Sequence, residues 1–76
     1  MRTKARIEEI LDFQDIQYYI VVELDKMAGS FIVCFPIGAQ YIELNELDDL
    51  DNNLREYFDY VDFAISGSQI LIRLNN

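Results

Sequence analysis

Histidine is absent from this sequence, and cysteine and proline occur once each among its 76 residues. Histidine is the side chain whose ordinary pKa suits proton transfer near neutrality, and it is a frequent metal ligand. Without it, no Ser-His-Asp or Cys-His arrangement can be assembled from one chain. With Cys34 alone there is no internal disulfide and no zinc site of the usual thiolate or imidazole kind. Cys34 sits in the apolar run Phe31-Ile32-Val33-Cys34-Phe35 and reads as a small buried hydrophobe, not a reactive thiol. One unpaired cysteine fits a reducing cytosol, so a cytoplasmic location is expected.

Basic residues are also scarce. Six Lys and Arg stand against fourteen Asp and Glu, a formal net charge of -8. That balance argues against direct nucleic-acid binding through a basic surface. Long apolar runs are missing too, so no membrane span is expected. Arg2, Lys4 and Arg6 mimic the charged start of a signal peptide, but Glu8, Glu9, Asp12 and Asp15 interrupt where its apolar region would follow. Yet 51% of the residues are hydrophobic, too many for a disordered chain. One small, acidic α+β domain over residues 1–76 is the expectation.

Residues 3–14 read as a helix. Thr3 caps it, and Ile7, Ile10, Leu11 and Gln14 recur on one line, with Phe13 off it. Residues 17–25 alternate: Tyr18, Ile20, Val22 and Leu24 share one face, and Gln17, Tyr19, Val21, Glu23 and Asp25 the other. Lys26 to Gly29 read as a turn, with Gly29 suited to positive φ. Residues 30–35 complete a hairpin that Pro36 ends. A turn over 36–39 and a short third strand, Gln40 to Leu44, follow. Asn45 is the expected cap of a second helix over about 46–60, carrying Leu47, Leu50, Leu54, Tyr57, Phe58 and Val61 as an apolar stripe. Asp48 and Asp49 then fall in its first turn, where the helix dipole favours acids. Strands Asp62 to Ser66 and Gln69 to Leu74 close the chain around Gly67-Ser68, a glycine-first loop that suits a type II′ hairpin. The fold class is α+β: a two-layer, mainly antiparallel sheet of about five strands with two helices on one face, in the order α-β-β-β-α-β-β.

Two strands are apolar on both faces. Tyr19 and Val21 oppose Tyr18, Ile20 and Val22, while Ile32 and Cys34 oppose Phe31, Val33 and Phe35. Two helices cover one face of such a sheet but hardly both, and a small domain buries only about 60% of its unfolded surface. Self-association as a twofold homodimer is the expected outlet for the excess.

Between Glu43 and Asp62 the acids Glu43, Glu46, Asp48, Asp49, Asp51, Glu56, Asp59 and Asp62 face one base, Arg55. On the expected helix, Asp48, Asp49, Glu56 and Asp59 lie opposite the leucine stripe with Asn52 among them, a column spanning roughly 16 Å. Ordinary helix faces mix signs, because opposite charges four residues apart add a few tenths of a kcal/mol. A column without them suits a basic partner surface, whose lysines and arginines it meets as nucleic-acid phosphates do. Solubility alone is the plainer explanation. Of the tyrosines, Tyr57 belongs to the stripe and the core, whereas Tyr60 lies off it and is a candidate contact residue. The candidate partner-binding residues are therefore Glu46, Asp48, Asp49, Glu56, Asp59 and Tyr60. The run Asp48-Asp49-Leu50-Asp51-Asn52-Asn53 fails as an EF-hand loop, since Asn53 occupies the glycine position and Asp59 the terminal glutamate position. No metal, cofactor or catalytic residue is assigned.

In size and charge the chain is similar to the small DNA-mimicking inhibitors of phages and mobile elements, anti-CRISPR proteins among them. The similarity is one of composition, with no aligned motif, so it implies a mode of action and no individual residue. The expected function is that of a non-enzymatic inhibitor or adaptor masking a basic, nucleic-acid-binding surface. The alternative is a structural or regulatory homodimer whose acids serve solubility.

Overall fold

The computed structural model of the protein describes residues 3–24 and 29–75. Its elements are α1 (Lys4–Phe13), β1 (Ile20–Glu23), β2 (Phe31–Pro36), a 3₁₀ turn (Ile37–Ala39), α2 (Leu44–Arg55), β3 (Tyr60–Ser66) and β4 (Gln69–Asn75). The four strands form one antiparallel sheet in the order β1-β2-β4-β3. The fold is α+β with order α-β-β-α-β-β, one strand fewer than expected.

Helix α1 begins where the sequence indicates. The Thr3 Oγ1 accepts from the Arg6 backbone N–H at 3.2 Å, and the Thr3 carbonyl accepts from Ile7 at 3.1 Å. It ends without glycine. Asp15 adopts φ 60°, its N–H donates to the Asp12 carbonyl, and the Ile16 N–H donates to the Leu11 carbonyl, both at 3.0 Å. This crossed pair is a Schellman motif, and it turns Ile16 into the core.

The strand expected over 17–25 is shorter among the described residues, Ile20–Glu23; its expected last residue, Asp25, lies outside them. Residues 17–19 are held by a side chain instead of a neighbouring strand. The Gln17 N–H donates to Gln40 Oε1 at 2.8 Å, and Gln40 Nε2 donates to the Gln17 carbonyl at 2.7 Å and the Pro36 carbonyl at 2.8 Å. Tyr18, at φ 58°, lies just beyond this clamp. The same contacts explain why Gln40 to Leu44 is not a strand. Gln40 satisfies backbone groups with its side chain, the sheet edges are β1 and β3, and Tyr41 is 99% exposed.

Lys26 to Ala28 of the expected hairpin turn lie outside the described residues; Gly29 has φ 95°. Pro36 ends β2 past the point where β1 pairs with it, so its missing N–H leaves no ladder bond broken. Gly67 has φ 62° and Ser68 does not share the positive sign, which makes the β3–β4 turn type II′.

Helix α2 departs most from expectation. It starts at Leu44 with Glu43 as its cap, not Asn45, and the Glu43 carbonyl accepts from Glu46 and Leu47. It stops at Arg55, five residues before the expected end. Hairpin register supplies the reason: β4 runs to Asn75, and its partner must begin at Tyr60 to pair with it. Tyr57 and Phe58 both bond back to the Leu54 carbonyl as the chain turns, and Phe58 meets Phe31 edge to face at 5.9 Å.

Phe31, Val33 and Phe35 of β2 and Ile70, Ile72 and Leu74 of β4 face the helices and are buried with Val21 and Val61. Helix α1 adds Ile7, Ile10 and Leu11, and α2 adds Leu50 and Leu54. Both helices lie on this face, α1 beside β1 and α2 beside β3.

Candidate functional site: an acidic helical layer

The helical layer carries the acids. Helix α2 buries Leu50 and Leu54 fully, which fixes the direction of every other side chain on it. At about 100° per residue, Asp48 and Asp49 leave the helix on different flanks. Asp48 and Asp51 line a groove beside β3 with Leu44, Leu47 and Phe63. Asp49 projects on the α1 side with Glu46, which is only half exposed. There Glu56 borders a hollow shared with Arg6, Glu9, Ile10, Phe13, Asn53 and Tyr57. Asp48 and Asp49, about 100° apart, are both exposed on the side away from Leu50 and Leu54, but α2 ends at Arg55, so the helical column expected from the sequence does not continue to Glu56 and Asp59.

Glu56 and Asp59 lie beyond α2, Glu56 as its C-cap and Asp59 in the connection to β3; both are exposed. Tyr60 opens β3. Its strand neighbour Val61 faces the helices, so Tyr60 stands on the opposite face of the sheet, away from α2. The structure therefore separates Tyr60 from the acids. Tyr57, expected in the core, is half buried, with the Arg6 guanidinium 5.1 Å from its ring centroid.

Two ion pairs are formed among the described residues: Arg6 with Glu9 at 3.6 Å and Arg55 with Asp51 at 2.9 Å. Neither engages Glu46, Asp48, Asp49, Glu56 or Asp59. Polar side chains brace the two helices instead. Gln14 Nε2 donates to the Glu46 carbonyl at 3.3 Å, and Asn53 Nδ2 donates to Gln14 Oε1 at 3.2 Å. Gln14, placed by the sequence on the apolar line, is the link between α1 and α2.

The other face of the sheet is uncovered by either helix. Across the four strands, Ile20, Cys34, Leu71 and Ala64 form one row, and Val22, Ile32, Arg73 and Asp62 the next. Cys34 is half buried there, not enclosed in the core as expected, because no layer packs over it. Asp62 and Arg73 are the charged residues within these rows, and they are opposite each other. The charges of these rows thus balance and the surplus of acids lies on the helical side, while exposed apolar residues occur on both sides, with Phe13, Leu44 and Ile65 on the helical one.

One carboxylate has a measurable effect on a neighbour. The Tyr19 hydroxyl donates to Asp12 Oδ1 at 2.8 Å, which holds the phenol neutral and pushes its pKa up to about 12. The raised value means that the contact stabilises the fold below the ordinary tyrosine pKa of about 10 and loses that effect as pH rises through about 12. Ultraviolet titration of tyrosinate is expected to show the late titration of Tyr19 in the native protein. Asp12→Asn should shift that late step to lower pH; an unchanged curve would mean that the bond does not form in solution.

No three of the described Asp, Glu and Cys residues converge into a metal-holding group, and no described helix is long and apolar enough to cross a membrane. Among family models, curated proteins and solved structures, none matches this chain.

Proposed function

We propose that the protein is an acidic interaction module that masks a basic, nucleic-acid-binding surface of another protein. The observation that carries this reading is the layer of exposed, unneutralised carboxylates on and around α2. Asp48, Asp49, Glu56 and Asp59 have no cation within ion-pair distance in the described residues, although like charges on one rigid layer repel. A cationic surface removes that repulsion, and steering by opposite fields speeds its capture. Solubility requires acids but not their concentration, without a paired cation, on and around α2.

The test is capture of protein from lysate on the immobilised chain at low and high salt, followed by competition with duplex DNA and RNA. The expected result is one salt-sensitive basic partner that nucleic acid displaces. Recovery that is indifferent to both salt and nucleic acid would sink the proposal.

A second reading has its own support. The uncovered sheet face exposes Ile20, Val22 and Leu24, and its rows carry no net charge. A second copy can therefore approach it without the repulsion that the helical layers impose, giving a twofold homodimer. Sedimentation is expected to show a dimer that Val22→Asp converts to monomer with unchanged circular dichroism. A wild-type monomer at high micromolar concentration would exclude it.

A further inference from the structure

We infer that the β3 edge and the groove beside it receive an extended strand of a basic partner, which joins the sheet next to β3. The inference rests on the proposed basic-partner reading and specifies how that partner is held.

Strand β3 is a seven-residue outer strand, while the other edge strand, β1, has four residues. The Arg55 Nη2 donates to the Val61 carbonyl at 3.0 Å, which shows that the polar groups of Val61 face away from β4. The two-residue turn agrees, since it pairs Ser66 with Gln69 and sets Ser66, Ala64, Asp62 and Tyr60 as the residues bonded to β4. By alternation the N–H and C=O groups of Phe63 and Ile65 also face outward, with no partner among the described residues. Natural edges are blunted by proline, lysine, bulges or a covering segment. Here β3 contains no proline or lysine, and among the described residues Arg55 alone closes the Val61 end.

Beside this open edge runs a groove of about 450 Å³ lined by Leu47, Phe63, Ala64, Ile65 and Ile70. Ile65 is 75% exposed and Leu44, at its neighbouring hollow, 82%. An added strand would lie about 4.8 Å from β3, placing every second side chain over Phe63, Ile65 and Leu47. Main-chain bonds would hold it, and the groove would select apolar residues. Charge then decides whose strand it is. Asp48 stands on the helical wall with no ion pair. Asp62 is opposite Arg73 on the other side of β3 but within ion-pair distance of no described cation. Arg55 is already engaged by Asp51 and the Val61 carbonyl, so cationic residues flanking the apolar ones are favoured. A second copy pairing β3 with β3 would instead bring two Asp48-bearing walls together.

The probe is a short, capped peptide alternating valine and lysine, with oligolysine as the probe of charge alone. Amide hydrogen exchange read by NMR is expected to slow at Phe63 and Ile65 when the alternating peptide is added, and not with oligolysine. Ile65→Pro removes one outward N–H without touching a β4 bond, and Ile65→Asp keeps that N–H but places a like charge in the groove. Each should weaken the alternating peptide about tenfold or more, while Ile65→Val leaves it unchanged. Binding of both probes with no slowing at β3, or equal binding by Ile65→Pro, overturns strand addition and leaves the basic-partner reading standing. If neither probe binds at low salt, both fail.

Discussion

Replacing Phe31 by alanine is expected to remove a large share of the stability of this protein, whereas replacing its neighbour Ile32 is expected to cost far less. Phe31 is 2% exposed and packs edge-on against Phe58. Truncating a buried phenylalanine costs about 3–5 kcal/mol through lost transfer energy and the cavity left behind. Proteins have only about 0.05–0.15 kcal/mol of stability per residue, so a chain this short holds roughly 4–11 kcal/mol in all. Urea unfolding followed by circular dichroism should show the Phe31→Ala midpoint lowered by about 2 M or more, given slopes near 1–1.5 kcal/mol/M. Ile32 lies on the same strand but on the uncovered face, half buried. Ile32→Ala should lower the midpoint far less in the monomer. Equal losses at the two positions would mean that something covers the outer face, in which case the loss at Ile32 should depend on protein concentration.

Neutralising the acidic layer is the second large effect. The variant Asp48→Asn, Asp49→Asn, Glu56→Gln, Asp59→Asn alters four exposed side chains with no ion pair, so the fold should be unaffected. Each exposed charge pair at an interface contributes about 0.2–1 kcal/mol. Four together amount to roughly 1–4 kcal/mol, a loss of about five- to a thousand-fold in affinity for the basic partner. Salt sharpens the comparison, because the screening length shortens from about 8 Å at physiological ionic strength to about 3 Å at 1 M. Wild-type affinity should fall steeply with added salt and the variant much less. Neutralising Glu23 and Glu43, compared with neutralising Asp48 and Asp49 alone, controls for an equal change of total charge and should cost little. A variant that binds as tightly as wild type would assign these acids to solubility alone.

Much of the fold is legible in the sequence because short-range signals and core patterning agree. The Thr3 cap, the inward Phe31, Val33 and Phe35, and the Gly67-Ser68 turn each rest on one local rule. The errors arise where a local pattern is ambiguous or a distant group intervenes. Phe58 and Val61 continue the helical spacing from Leu54, yet Val61 equally begins a strand alternation with Phe63; only the length of β4 decides between them. Gln40 to Leu44 resembles a strand, and nothing local reveals that the Gln40 amide will clamp Gln17 from 23 residues away. The end of α1 is legible from the apolar spacing, although its left-handed residue is Asp15 and not glycine; the turn that carries Ile16 into the core is not.

The candidate site is legible in its chemistry but not in its direction. A count of acids between Glu43 and Asp62 identifies the charged segment. Which acids stand together depends on where α2 ends and which flank meets α1, and both are tertiary facts. The open edge of β3 could not be read at all, because no sequence signal distinguishes an outer strand from an inner one when both are apolar.

The placement of both acidic helices on one side of the sheet, opposite its uncovered face, has a consequence for valency. If two chains meet through their uncovered sheets, the helices end up on opposite outer sides, each still free to touch something else. Such a back-to-back pair is a two-headed clasp: it can tether two cationic molecules, or grip one elongated molecule twice, and a second grip raises the local concentration without any new contact. The two readings of this protein would then be one device seen from its two sides.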